Sequence, residues 1–401
     1  MTRWLALVGI GEDGLAGLSP AARARIDDAE FLIGGTRHLA FVPRSAAERI
    51  VWAKPFHESF AQIEGLRGRR VTVLASGEPL WFGVGAKLAG LFGPAEIEVH
   101  PHVGAFSLAA ARLCWPMERC ALVSVHGREL DTLARHLHPR AKLLILSADG
   151  SSPGAIAAFL AARGFGASAM SVFERMGGPA ERRLDGTAGA WPHGPVDELN
   201  LVAVDCRAAP GAAWATCAGG LPDEAFEHDG QLTKREIRAL TLAHLAPFPG
   251  AVLWDIGAGN GSVAIEWMRA APHARAVAVE RDPERAARIA RNARALGVPE
   301  IAIVTGEAPG ALADLPAPDA VFLGGGLSNP ATIAACWAAL APGGVFAANA
   351  VTLEGESVLA DLHKTWGGET ARLSVGRAEK VGPYRGWRPS MQVTCYRTVK
   401  P

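Results

Sequence analysis

The sequence has no excess of charge of either sign, because its 40 lysines and arginines are matched by 40 aspartates and glutamates. Proteins that bind nucleic acid usually carry a basic excess or a basic patch. The balance therefore argues against a nucleic-acid partner. The length of 401 residues exceeds that of one typical domain, so we expect at least two.

Long apolar runs and paired cysteines are also missing. No apolar stretch reaches the roughly 18 to 20 residues of a membrane-spanning helix, and residues 1–8 show no secretory cleavage site. The six cysteines form no CxxC pair and no zinc-like cluster with histidine, which favours reduced, buried thiols. We expect a cytoplasmic protein with no membrane partner and no bound metal.

A strand, a glycine-rich turn and a helix follow one another in the C-terminal half. The apolar run from Val252 ends in Asp255, and a helical pattern begins near Val263. Glycine suits a turn with positive φ and a backbone that a ligand approaches closely. The spacing is GxGxG, not the GxGxxG of dinucleotide sites. It favours S-adenosylmethionine, with an NAD-type oxidoreductase as the alternative. The turn's candidate cofactor residues are Gly257, Ala258, Gly259, Asn260 and Gly261.

Two further strands support a cofactor site beside this turn. The strand 276–280 ends in Glu280, whose carboxylate would accept both ribose hydroxyls, and the strand 301–305 runs towards Glu307 and Ala308, near the adenine. The carboxyl ends of parallel strands meet at one edge of a sheet, where open α/β sheets bind ligands. Thr233 is a further cofactor candidate, and with Glu236 it forms a predicted capping box.

The strand and helix patterns predict an α/β protein with two domains. Residues 1–206 form two lobes, about 1–115 and 116–206, each with strands that alternate with helices. Residues 207–230 are rich in alanine, glycine and proline and are predicted as a linker. Residues 231–401 are predicted as a doubly wound, Rossmann-like sheet that ends in an antiparallel pair, 370–375 with 390–397.

The motifs of both halves resemble known families. Residues 231–401 resemble the CbiT-type corrin methyltransferases, through the motifs at 232–238, 255–262, 306–309 and 319–326. Residues 1 to about 206 resemble the CbiE-type tetrapyrrole methylases, with their two-lobed fold. The motifs are those at 8–11, 34–39, 76–79, 124–128 and 173–177. The chain therefore looks like a fusion of the two families.

The resemblance implies an enzyme of cobalamin biosynthesis that methylates a precorrin, with one S-adenosylmethionine site in each half. The N-terminal half would methylate C5. The C-terminal half would methylate C15, remove the carboxyl group of the C12 acetate chain, and form a homo-oligomer. Two residues depart from the family pattern, Glu12 for the usual proline and Glu78 for the usual aspartate. They keep open the alternative that the N-terminal half only binds tetrapyrrole.

The resemblance also carries candidate residues onto this sequence. In the N-terminal half the cofactor would lie beside Gly9, Gly11, Ser76, Gly77, Gly104 and Ala105. The candidates for handling substrate are Arg37, His38, His126, Arg128, Gly324 and Gly325. Methyl transfer depends mainly on alignment and desolvation, so we expect no dedicated catalytic triad.

Overall fold

The computed structural model describes residues 3–401, which separate into two compact units. Unit 1 comprises the described residues up to Arg128 together with 139–213, and unit 2 comprises 129–138 together with 214–401. The short segment 129–138 thus belongs to unit 2 although it lies within the N-terminal half of the sequence. Residues 214–230, from the segment predicted as a linker, are also part of unit 2.

Unit 1 contains ten strands and six helices. The strands are β1 (Leu5–Ile10), β2 (Phe31–Gly34), β3 (Glu48–Val51), β4 (Val71–Ser76), β5 (Ile97–His100), β6 (Cys120–Ser124), β7 (Lys142–Leu146), β8 (Ala169–Glu174), β9 (Arg182–Thr187) and β10 (Asn200–Asp205). The helices are α1 (Pro20–Asp27), α2 (Thr36–Ala40), α3 (Glu58–Glu64), α4 (Val84–Phe92), α5 (Ala105–Leu113) and α6 (Ser152–Ala162).

The strands of unit 1 form two sheets, as the predicted lobes require. The first sheet is parallel, in the order β3-β2-β4-β1-β5. The second has the order β6-β7-β10-β8-β9, and only β6 and β7 pair in parallel. The segment around Leu184 forms the edge strand β9. This edge strand buries none of its residues fully, so it has no hydrophobic alternation to reveal it.

Unit 2 contains nine strands and five helices. The strands are β11 (Val252–Ile256), β12 (Arg275–Glu280), β13 (Ala302–Thr305), β14 (Ala320–Leu323), β15 (Val345–Ala350), β16 (Glu369–Leu373), β17 (Gly376–Val381), β18 (Tyr384–Pro389) and β19 (Val393–Val399). The helices are α7 (Arg235–Leu245), α8 (Ser262–Ala270), α9 (Pro283–Ala295), α10 (Pro330–Ala339) and α11 (Leu353–Trp366).

The main sheet of unit 2 is doubly wound, in the order β13-β12-β11-β14-β15-β19-β16. The first five strands are parallel, and β19 runs antiparallel to both of its neighbours. The predicted pairing of the last two segments is confirmed, but the separate hairpin β17–β18 between them was missed. The strand order reverses between β11 and β14, where such sheets leave a crevice at the strands' carboxyl ends.

Local sequence determines several helix starts. Ser19 caps α1 by accepting a hydrogen bond from the backbone N–H of Ala22, and Pro20 follows in the first turn. The predicted capping box at Thr233 is wrong, because α7 begins one residue later, with Lys234 at the N-cap and no side-chain cap. The backbone carbonyl of Thr233 instead accepts a hydrogen bond from the buried guanidinium of Arg238.

Within residues 3–401, no helix has the length and apolar character needed to cross a bilayer. Over the same residues, no group of three or more histidine, cysteine, aspartate or glutamate side chains could hold a metal ion. All six cysteines are free thiols. Burial raises the pKa of Cys206 and of Cys336 to about 12, so both are protonated at neutral pH.

Candidate active sites in the two units

Unit 2 contains a cavity of about 810 Å³ at the carboxyl ends of its central strands. It lies where β11 and β14 separate, the expected place for a ligand in a doubly wound sheet. All the candidates predicted for this half line it, except Gly261. They are Thr233, Gly257, Ala258, Gly259, Asn260, Glu280, Glu307, Ala308, Gly324 and Gly325. Sequence reasoning missed the residues from the far edge of the sheet, namely Asn349, Val351, Ser390, Met391 and Val393.

The three glycines of the loop after β11 have different roles. All three have positive φ, between 59° and 77°. A Cβ on Gly257 would lie 2.7 Å from the Cα of Gly325, and one on Gly261 would lie 2.7 Å from Cγ2 of Ile289, so these two allow close packing. A Cβ on Gly259 would meet nothing closer than the carbonyl oxygen of Gln231, at 3.7 Å. Gly259 is therefore the glycine that presents open backbone to the cavity.

The carboxylate of Glu280 holds this loop in place. Its Oε2 accepts a hydrogen bond of 2.7 Å from the N–H of Gly259, and its Oε1 accepts one of 3.0 Å from the N–H of Asp282. The residue is buried and lines the cavity. A carboxylate offers about four lone-pair sites, so Glu280 retains acceptors for ribose hydroxyls. Glu307, by contrast, lies at the rim with its side chain 74% exposed.

Asp255 is a buried acid near the end of β11, before the glycine loop. It lines the cavity, and its Oδ2 accepts a hydrogen bond of 3.1 Å from the N–H of Ala264. Burial raises the pKa of Asp255 to about 7, and the nearby charge of Glu280 adds to the effect. In the sequence, Asp255 only marks the end of the apolar run from Val252, and it is not among the predicted site residues. An acid that follows directly on an apolar strand was the signal that could have identified it.

Residues 229–231, before α7, are held beside the glycine loop by contacts with that loop and with α9. The side-chain amide of Asn260 donates to the carbonyl of Gln231, and its oxygen accepts a hydrogen bond of 2.9 Å from Arg288. Asp229 forms ion pairs with Arg285, at 2.8 Å, and with Arg288, at 3.2 Å. These contacts place the Gln231 carbonyl beside Gly259. No local sequence pattern indicates these contacts, because the partners are far apart in the chain.

In unit 1, three loops meet at the carboxyl edge of the first sheet, after β1, β4 and β5. Gly77 donates to the carbonyl of Ile10, and the N–H of His102 donates to the carbonyl of Gly77, both over 3.2 Å. A Cβ on Gly9 would lie 1.8 Å from the Gly77 oxygen, and one on Gly77 would lie 2.7 Å from the Cα of Gly104. The structure thus brings these three predicted glycines into direct backbone contact, and Ala105 begins α5 directly after them.

Gly11 is the fourth predicted glycine at this edge. A Cβ on Gly11 would lie 2.7 Å from Oδ1 of Asp13 and 2.9 Å from Nε2 of His102. Those two side chains contact each other at 3.1 Å. A larger side chain at position 11 would therefore clash with the Asp13 carboxylate and the His102 imidazole.

Arg37, His38 and Ser76 form a cluster at this edge. The hydroxyl oxygen of Ser76 lies 2.9 Å from Nε2 of His38 and 2.8 Å from Nη2 of Arg37. Nη2 is also 2.9 Å from the same imidazole nitrogen. Burial, with a smaller contribution from the Arg37 charge, lowers the pKa of His38 to about 4. The imidazole is therefore neutral at neutral pH.

The first of the two unusual glutamates, Glu12, joins two arginines. Its carboxylate accepts from Arg37 through Oε1 and from Nη1 of Arg175, at 3.3 Å, through Oε2. Arg175 also donates from Nε to Oδ2 of Asp197, over 2.6 Å. Sequence reasoning missed Arg175 as a site residue, although it lies inside the motif at 173–177. The other departure, Glu78, accepts a hydrogen bond from the backbone N–H of Leu80.

His126 and Arg128, the other predicted substrate residues, lie apart from this cluster. Both are exposed in the loop after β6. The Arg128 guanidinium lies 5.0 Å from the ring centroid of Phe82. Across residues 3–401, neither side chain has a hydrogen bond or an ion pair with a member of the Arg37 cluster. The structure therefore does not bring all four predicted residues together.

Comparisons with known proteins identify the family. The tetrapyrrole (corrin/porphyrin) methylase model matches residues 5–191, and the precorrin methyltransferase domain model matches 224–400. The chain is 47% identical, over 99% of its length and 96% of the relative's, to a precorrin-6Y C(5,15)-methyltransferase [decarboxylating] of Sinorhizobium sp.. The chain belongs to this family of methyltransferases. The resemblance seen in the motifs is confirmed, and the oxidoreductase alternative loses its support.

Two relatives match only part of the chain. A cobalt-precorrin-7 C(5)-methyltransferase of Salmonella typhimurium is 33% identical over 44% of this chain and 88% of its own length. A probable cobalt-precorrin-6B C(15)-methyltransferase (decarboxylating) of Pyrobaculum calidifontis is 36% identical over 43% of this chain and 91% of its own length. Proteins named for the separate activities thus exist at about half this length.

Proposed function

We propose that this chain transfers methyl groups from S-adenosylmethionine to C5 and C15 of precorrin-6Y (6B) and removes the carboxyl group of its C12 acetate chain. The product would be precorrin-8, in cobalamin biosynthesis. The observation that carries the proposal is the match over 99% of the chain to a relative named for both positions and for decarboxylation. The free thiols are typical of a reducing compartment, which supports a cytoplasmic location.

We assign C15 methylation and decarboxylation to unit 2. The residues that would hold the methyl donor are Gly259, whose backbone is open to the cavity, and Glu280, whose carboxylate keeps acceptors for hydroxyl groups. Bound there, the donor supplies an electrophilic methyl group. The protein's contribution is alignment, which can lower a barrier by about 7 to 11 kcal/mol. The open region near Gly324 and Gly325 is the proposed place for the macrocycle.

We assign C5 methylation to unit 1, with the donor at the loops after β1, β4 and β5. A second candidate is that unit 1 binds tetrapyrrole without methylating it. One observation favours this alternative. Glu12 and Glu78, which depart from the family pattern, lie in the loops after β1 and β4, where the donor would be held.

Calorimetric titration with S-adenosylhomocysteine distinguishes the two proposals for unit 1. We expect two sites in the intact protein and one in Glu280→Ala, because this change removes the carboxylate that positions Gly259 in unit 2. The control is Glu284→Ala, an exposed acid on α9, which should retain two sites. A single site in the intact protein, lost in Glu280→Ala, would instead make unit 1 a binding module.

We further propose that unit 2 mediates a homo-oligomer through the hairpin β17–β18. Nearly all of its residues are exposed, including Val381 at 63%, Tyr384 at 78% and Trp387 at 80%. An isolated two-stranded hairpin is marginally stable in water, and exposed apolar patches often mark interfaces. A second copy of the chain would cover these side chains.

Sedimentation velocity tests the oligomer. The double variant Tyr384→Ser/Trp387→Ser is expected to sediment as a monomer under conditions where the unchanged protein does not. The control is Phe248→Ser, which removes an aromatic residue with 51% exposure from the loop before β11 and should leave the oligomer intact. An unchanged sedimentation coefficient in the double variant would show that the hairpin is not the interface.

A further inference from the structure

Ser76 and His38 are placed so that a proton can pass between them. A guanidinium group can only donate hydrogen bonds. Because Nη2 of Arg37 lies 2.9 Å from Nε2 of His38, that nitrogen is an acceptor and carries no proton. Nε2 has a single lone pair, so the Ser76 hydroxyl, also 2.9 Å away, shares it with Nη2 of Arg37 and can donate its own proton there. The proton of the neutral imidazole then resides on Nδ1.

The surroundings keep the imidazole of this pair neutral and leave the hydroxyl exposed to solvent. Ser76 is exposed at the end of β4, whereas His38 is half-buried, and its Nδ1 is buried with no hydrogen-bond partner in residues 3–401. The charged group that faces the imidazole is Arg37, on the same helix, and Glu12 pairs with Arg37. The exposed Ser76 hydroxyl can therefore reach a substrate, and the half-buried imidazole of His38 lies behind it.

We propose that Ser76 and His38 form a proton relay that accepts the proton released from C5 after its methylation in unit 1. The inference rests on the proposed function of unit 1 and adds the groups that complete its reaction. A meso carbon that gains a methyl group carries both the new methyl and its original hydrogen. That hydrogen must leave as a proton before the conjugation of the macrocycle is restored.

Methyl transfer and proton removal are two successive steps. The C–S bond of the donor breaks with its electron pair going to sulfur, while a π pair of the macrocycle forms the C5–CH₃ bond. The C5–H electron pair then returns to the macrocycle as its proton passes to the Ser76 oxygen, and the Ser76 proton passes to Nε2 of His38. Nη2 of Arg37 can then no longer donate to Nε2, and it donates to the Ser76 oxygen alone. A weak base is sufficient, because the methylated macrocycle is a cation. Burial lowers the pKa of His38 to about 4, so the relay starts in its proton-accepting form at neutral pH.

Arg37 is a positioning residue in this arrangement. Its Nη2 contacts both the hydroxyl oxygen and the imidazole nitrogen, so it fixes their mutual orientation. Its ion pair with Glu12 compensates its charge. This gives Glu12, which departs from the family pattern, a role in orienting the relay.

The test is the single-turnover rate at which the full-length His38→Gln variant forms the deprotonated C5-methylated product, with the C15-methylated, decarboxylated intermediate as substrate. Glutamine keeps a hydrogen-bonding group but cannot take up the proton. We expect a fall of about 100-fold, at the low end for loss of a general base. The variant should also show a primary isotope effect with substrate deuterated at C5, which the unchanged protein should not show. S-adenosylhomocysteine should bind unchanged.

A second variant and a control complete the design. Ser76→Ala, a small change at an exposed position, is expected to slow the same step and produce the same isotope effect. His193→Gln, on a histidine beside the second sheet with its Nε2 3.1 Å from the carbonyl of Asp185, should retain the normal rate. Normal rates without an isotope effect in His38→Gln and Ser76→Ala would overturn the relay alone. Absence of C5 methylation in the unchanged protein would overturn the proposed function of unit 1, and the relay with it.

Discussion

Replacement of Gly259 by arginine is expected to abolish C15 methylation and decarboxylation while C5 methylation continues. The nearest atom to a Cβ at this position is the Gln231 oxygen, at 3.7 Å. Gly259 lines the cavity of about 810 Å³ where unit 2 would hold its methyl donor, so an arginine side chain there would occupy part of that space. Because the change occupies the binding space without a clash with backbone, the expected loss of activity does not require unfolding.

The matched control for this variant is Gly259→Ala. Both changes place a side chain on a residue with a φ of 59°, which costs roughly 1 to 2 kcal/mol. Alanine adds only a methyl group, with ordinary contact to its neighbour, so it should lower the C15 activity much less than arginine does. Mass analysis of products from a precorrin substrate, for C5 and C15 separately, provides the readout. Loss of C5 methylation in folded Gly259→Arg would argue against independent sites.

The unit 2 site could be predicted from the sequence because its signals are local. The glycines that follow β11 and the acid that ends β12 are each next to an apolar strand. The parallel order of the strands then brings these ends together. The different roles of Gly257 and Gly259 could not be predicted. They depend on which atoms of other loops lie beside each glycine.

The remaining contacts depend on pairs that are distant in the chain. Glu12 pairs with Arg175, which lies 163 residues later in the chain. No local sequence pattern predicts such a partner. The hairpin β17–β18 has little hydrophobic alternation, because nearly all of it is exposed. Thr233 followed by Glu236 fits the capping-box pattern, but α7 begins one residue later, and Arg238, which is bound to Glu266, 28 residues further on, donates to the Thr233 carbonyl. In each case tertiary packing, not local propensity, determines the structure.

Replacement of Arg238 is expected to cause the largest loss of stability, because its side chain makes several buried contacts. Its side chain is fully buried, donates from Nε to Oε1 of Glu266 over 2.5 Å, and donates from Nη1 to Oδ1 of Asp223 at 3.3 Å. Its other donors reach the carbonyls of Leu221 and Thr233. Arg238→Leu would leave the buried carboxylate of Glu266 without its cation. Loss of one partner from a buried ion pair costs about 3 to 5 kcal/mol, and we expect a loss of that size in urea unfolding.

Two further variants separate the buried charge from a general effect of losing an arginine. Arg377→Leu removes a partly exposed guanidinium that pairs with Glu236 at 2.8 Å, and a surface pair contributes only about 0 to 1 kcal/mol. The double variant Arg238→Leu/Glu266→Leu should recover part of the loss, because it leaves no unpaired Glu266 charge. If Arg238→Leu lowered the free energy of unfolding by no more than Arg377→Leu does, the buried ion pair would not be responsible for holding residues 221–233 against α7 and α8. Since Thr233 lines the cavity, the single variant should also bind S-adenosylhomocysteine more weakly in unit 2.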